Sequence, residues 1–100
     1  MMATKKMKLK KMVMVRAYSG VFYGALVARR GTEVDLDDAR HVWSWDSAGL
    51  PRKALTVDDL AILGAGSGSK LSGRTSQTLL DVKQIVECSD DAVKRFEALP

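Results

Sequence analysis

Apolar residues in the first half of the chain recur with the two-residue period of strands, and the second half changes to helical spacing. Met12 to Tyr18 is apolar and largely β-favouring, Ser19-Gly20 supplies a tight turn, and Val21 to Ala28 follows, which predicts a hairpin. Along the second strand Val21, Tyr23, Ala25 and Val27 share one face, with Phe22, Gly24, Leu26 and Ala28 on the other. A strand apolar on both sides requires two covering layers or a partner subunit. Arg29-Arg30-Gly31-Thr32 reads as the next turn, Glu33 to Leu36 as a short strand, Asp37-Asp38 as a further turn, and Ala39 to Trp45 as a fourth strand.

At Leu55 to Gly64 the period lengthens. Thr56 caps a helix with Asp58 and Asp59 in its first turn, Val57, Leu60, Ala61 and Leu63 form its apolar face, and Gly64 suits the position after its end. Gly64 to Gly73 reads as a flexible connection, Thr75 to Cys88 as a long final strand, and Ser89-Asp90-Asp91 as the cap of a closing helix with Ala92, Val93, Phe96 and Leu99 on its apolar face. The expectation is an α+β fold, a small antiparallel β-sheet or open barrel of about five strands with two short covering helices. A disordered lysine-rich tail, residues 1–11, precedes a single domain, residues 12–100.

Charge changes that picture only at the amino end. The chain of 100 residues carries a net charge of +4, but Lys5, Lys6, Lys8, Lys10 and Lys11 supply five positive charges within seven residues. From residue 13 onward, 11 basic residues face 12 acidic ones, so the expected folded part has a net charge of −1. The tail is either a solvated terminus or a weak phosphate binder acting through counterion release. No apolar run is long enough for a bilayer span or a signal peptide, which leads to the expectation of a cytoplasmic protein without membrane contact. One cysteine, Cys88, and one histidine, His41, exclude an intrachain disulfide and a structural zinc site, and no cofactor or metal is expected. Cys88 reads as a buried thiol beside the last strand or, alternatively, as a reactive group.

Catalytic patterns are weak. His41 has no obvious acid–base partner, and Asp37/Asp38, Asp58/Asp59 and Asp90/Asp91 fall at predicted turns or helix starts. A phosphate loop of the Walker type needs glycine directly before lysine and Ser or Thr directly after it, whereas Ser69 and Leu71 flank Lys70. The glycine stretch is thus a linker, or a mobile loop in which Lys70, Ser72 and Arg74 close over a phosphate. The densest chemistry lies in Ala39-Arg40-His41-Val42-Trp43-Ser44-Trp45, where the strand period places His41, Trp43 and Trp45 on one face. That face is core or a stacking platform on which Trp43 or Trp45 holds a base while Arg40, Lys70 or Arg74 contacts phosphate and Tyr18 and Tyr23, on the adjacent hairpin, add a hydroxyl.

Arg16 to Leu26, Asp38 to Trp45, Leu55 to Gly64 and Leu80 to Ser89 together resemble a family of small uncharacterised proteins encoded by tailed bacteriophages and prophages, over roughly residues 13–99. Members show a Tyr-Ser-Ala-Gly turn and an Asn-Ala-Arg-Arg stretch before Trp-x-Trp. Here the turn is one residue shorter, His41 replaces the second arginine, and Asp81 stands where glutamate is common. The resemblance implies phage origin and an accessory role. From that setting follows the expectation of a non-enzymatic homo-oligomer that sequesters a nucleotide-type signal of bacterial defence, with Tyr18, Arg40, Trp43, Trp45, Lys70 and Arg74 as ligand-binding residues. Two other classes stay open: a nucleic-acid binder that uses the lysine tail and sheet aromatics, and a structural or host-protein-binding module.

Overall fold

The computed structural model describes residues 11–100. Except for Lys11, the lysine-rich tail lies outside the described residues. Lys11 opens the first strand, where its ammonium pairs with Glu87 at 3.1 Å. The strands are β1 (Lys11–Ala17), β2 (Gly20–Arg30), β3 (Glu33–Ser44), β4 (Lys70–Leu71), β5 (Thr75–Leu79) and β6 (Val82–Glu87); the helices are α1 (Val57–Leu63) and α2 (Asp90–Glu97). All strand pairs are antiparallel, in the order β4-β3-β2-β1-β6, and β5 also pairs with β3. The fold is therefore the small α+β type expected, with one sheet and two short helices among the described residues.

The sheet curls strongly. Strands β5 and β6 lie at opposite ends of the pairing order, yet only Leu80 and Asp81 join them. The amide of Val82 donates to the carbonyl of Thr32 in the β2–β3 turn at 2.9 Å, so the tip of the long hairpin folds over toward β6. Inside the curl, Val13, Val15, Ala17, Phe22, Val34, Leu36, Ala39 and Leu79 form one core. On the outer face Met14, Tyr23 and Val42 form a second core with Val57, Leu60 and Ala61 of α1 and Phe96 of α2. This two-layer burial is what the doubly apolar strand β2 demands.

One correction explains how β3 serves both cores. Asp37-Asp38, expected as a turn between two strands, is a bulge inside a single strand. Tyr23 pairs with Arg40 and Ala25 with Asp37, so three steps on β3 oppose two on β2, and Asp38 takes φ 51°. The extra residue inverts the alternation: Val34 and Leu36 point inward before it, Ala39 after it. Gly24 sits opposite, where a Cβ would come within 3.0 Å of the Ala39 backbone. The expected final strand, Thr75 to Cys88, likewise divides, at Asp81 with φ 55°.

The glycine-rich stretch is an ordered loop. The Gly66 amide donates to the Asp46 carbonyl at 2.8 Å and the Gly68 amide to the Asp46 carboxylate at 3.3 Å, while Ser69 Oγ accepts from the Asp46 amide at 3.1 Å. A Cβ on Gly66 would approach Asp46 Oδ1 to 2.2 Å and the Ala48 nitrogen to 2.3 Å. Here the glycines permit close approach around the exposed carboxylate of Asp46. The same stretch also contributes β4.

Both helices start as their caps dictate. Thr56 Oγ1 accepts from the Asp59 amide at 3.2 Å, and the Asp59 carboxylate accepts from the Leu55 amide at 2.9 Å. Ser89 Oγ accepts from the Ala92 amide at 3.0 Å and donates to the Ile62 carbonyl at 2.6 Å; Arg95 donates to the Leu63 carbonyl at 2.8 Å. The cap of α2 and Arg95 in its last turn thus satisfy open carbonyls at the end of α1 and lock the two helices together.

Candidate functional site

Where the inner core reaches the β1–β2 turn, it opens into a cleft of about 550 Å3. Its floor comes from neighbouring strands that pair Phe22 with His41, whose rings stack at 4.7 Å between centroids and 18° between planes. Phe22 is buried and His41 half-buried, so the pair presents an aromatic surface to water. Ser19, Ser72, Arg74, Thr75 and Gln77 line the rim. Among the described residues the lining includes one cationic side chain, Arg74, and no carboxylate.

The rim is held in place by backbone-directed contacts. Ser72 Oγ accepts from the His41 amide at 2.9 Å, and the Ser72 amide donates to the His41 carbonyl at 3.0 Å. This double tie fixes the connection between β4 and β5 across β3. Arg74 donates one Nη to Glu97 at 2.8 Å, while the other oxygen of that carboxylate accepts from the Tyr23 hydroxyl at 2.8 Å. A guanidinium has five N–H groups, so this pairing leaves donors for a further anion.

The six residues singled out in the sequence separate in space. Arg74 lines the cleft. Trp43, 60% exposed, lies two residues beyond His41 where the β3–β4 register shifts, and Tyr18, 89% exposed, sits in the adjoining turn beside Ser19. Lys70 is exposed on β4, paired in register with Ser44. Arg40 and Trp45 belong to the opposite face. Arg40 is 5% exposed and donates to the backbone oxygens of Ser72 at 2.8 Å, Leu99 at 3.2 Å and Pro100. It ties the end of α2 to the sheet. Strand β3 ends at Ser44, and Trp45 turns against the helix-covered core, its Nε1 donating to the Ala54 carbonyl at 3.0 Å. The shared face expected for His41, Trp43 and Trp45 therefore does not extend to Trp45.

The sequence reading missed Phe22, Ser19, Thr75 and Gln77, and named Ser72 only as part of a mobile phosphate loop. A phase change between Leu36 and Ala39 was the available signal, because it puts His41 on the face of Phe22. Nothing in the sequence pattern marked Thr75 or Gln77.

Burial raises the hydroxyl pKa of Tyr23, and the hydrogen bond to Glu97 adds to it, so this phenol stays protonated. Cys88 is half-buried against the outer core, and burial pushes its thiol up to about 12. Among the described residues no cluster of three or more His, Cys, Asp or Glu could hold a metal ion, and no helix is long and apolar enough to cross a membrane.

A family model described as a domain of unknown function, DUF6948, matches residues 10–96. The chain belongs to the DUF6948 family. The match spans every strand of this DUF6948 domain and nearly all of α2, so both cores and the cleft lie within it. No curated protein and no solved structure matches the chain.

Proposed function

We propose that this domain is a binding module that captures a planar, phosphate-bearing ligand of the nucleotide type and acts by holding it, without turnover. The observation that carries this reading is the cleft itself: a stacked Phe22–His41 floor beside Arg74, with hydroxyl and amide groups at the rim and no lining carboxylate. A base stacks on the aromatic floor, with the exposed Trp43 two residues along β3, while the free N–H groups of Arg74 receive the phosphate. In the phage setting implied by the sequence resemblance, stoichiometric capture of a nucleotide signal would blunt a bacterial defence. Capture of that kind needs enclosure and charge-assisted contacts but no acid–base machinery.

Native mass spectrometry after incubation with cyclic oligonucleotides, mononucleotides and ADP-ribose derivatives tests the proposal. The expected result is one defined nucleotide mass retained, with His41→Ala or Arg74→Ala weakening retention about tenfold, the value of one lost stacking or charged contact. Retention that is unchanged in both variants assigns the ligand elsewhere. The absence of retention across the panel overturns the nucleotide reading.

A further inference from the structure

Strand β5 gives one edge to β3 and, among the described residues, has no backbone partner on the other. Such an edge is a template for another strand, and proteins normally guard it with lysine, proline or a bulge. The strands that end the pairing order carry charge, Lys70 on β4 and Lys83 and Glu87 on β6. In contrast, β5 reads Thr-Ser-Gln-Thr-Leu, with no charge and no proline. Its outward hydroxyls are already engaged, Thr78 donating to Asp35 at 2.7 Å and Ser76 to Asp37 at 3.2 Å, which ties the strand to β3 on either side of the register shift between Leu36 and Ala39. Thr75 and Gln77 line the cleft, so the unpaired edge borders its open side.

We infer that β5 is a dimerisation edge whose occupant is a second copy of this chain, paired antiparallel about a two-fold axis at Gln77. A two-fold contact must be self-complementary, and the uncharged centre of β5 meets that condition. In this register Gln77 faces the partner's Gln77 and Thr75 faces the partner's Leu79. Leu80, 61% exposed, comes opposite the partner's Arg74, and Asp81 lies next to that guanidinium, so the flanks are complementary in charge. Joining the two β5 strands makes one sheet through both copies, and the partner's Gln77 and Thr75 supply a wall that each cleft lacks. Only this shared wall rests on the ligand reading; the pairing stands on the edge alone.

Sedimentation or light scattering on wild type, Gln77→Lys and Gln77→Glu tests the pairing. Wild type is expected as a dimer. Each variant sets like charges face to face and is expected to weaken the dimer about tenfold or more, and mixing the two variants is expected to restore it. Recovery on mixing also shows that both variants are folded. A monomeric wild type, a dimer indifferent to both substitutions, or loss without recovery on mixing would overturn the proposal. The nucleotide panel on the same samples separates the two readings: a dimer that retains no nucleotide leaves the edge pairing standing and the cleft reading fallen.

Discussion

The molecule contains two stacked aromatic pairs with almost the same geometry and different surroundings. Tyr23 and Phe96 stack at 4.4 Å and 18°, Phe22 and His41 at 4.7 Å and 18°. Adjacent residues of β2 supply one ring to each pair, pointing to opposite faces of the sheet. Tyr23 and Phe96 are fully buried, and the Tyr23 hydroxyl is satisfied by a glutamate that Arg74 also holds. His41, by comparison, lies at the edge of open space. Stacking geometry alone therefore does not separate core from site; solvent access and the fate of the polar atoms do.

The sharpest way to break this comparison is to truncate one ring of each pair. Phe96→Ala should cost about 3–5 kcal/mol, because it empties a filled core, whereas His41→Ala should cost roughly 1 kcal/mol, the value of the ring contact. Urea denaturation measures both; equal losses would make the cleft ring part of the core.

Next in size is the loop around Asp46. Gly66→Ala drives a methyl group into backbone as well as carboxylate and should cost about 1–3 kcal/mol. Gly68→Ala meets only the carboxylate of Asp46, so its smaller loss should be largely recovered in the double variant with Asp46→Ala. Thermal melts of the four proteins distinguish a built loop from a slack linker.

Tyr23→Phe removes one hydrogen bond and should cost about 1 kcal/mol. It also changes the alkaline limb. The pKa of Tyr23 is raised in the folded state, so its contribution is complete below the unfolded value of about 10 and is lost as pH rises beyond it. Denaturation midpoints of the variant should fall less steeply there than those of wild type. At the acid end the sign reverses. Asp59, lowered by the Leu55 amide and Arg52, and Asp35, lowered by Arg30 and Thr78, contribute stability above about pH 4 that is lost as pH falls through their depressed values.

The smallest expected change sharpens the cleft side. Trp43→Ala should alter stability by no more than about 0.5 kcal/mol, since the ring is mostly exposed, while lowering nucleotide retention in the native mass spectrum. A large loss of stability would instead place Trp43 among the packing residues.

Local chemistry was legible in the residues themselves. Thr56 and Ser89 cap the helices that their neighbours predicted, Val57, Leu60, Ala61 and Phe96 face the core, and the doubly apolar β2 required two layers. Caps and periodicity act within a few residues, so sequence carries them directly. Arg40 illustrates where that reading stopped. Its charge suggested a phosphate, but its partners are backbone oxygens at positions 72, 99 and 100, and backbone groups leave no mark in a sequence.

Sequence by itself determined the α+β class, the two capped helices, the meander and the concentration of aromatics around residue 41. Tertiary structure decided which aromatics meet water. A single extra residue at Asp38 inverts the side-chain alternation of β3, and the end of the strand at Ser44 sends Trp45 to the opposite face. It also decided that Gly66 and Gly68 close around Asp46 rather than swing free. The reason is common to all three: the contacts span strands or loops distant in the chain, and the side of a sheet on which a residue finally lies depends on a register that only the folded partners fix.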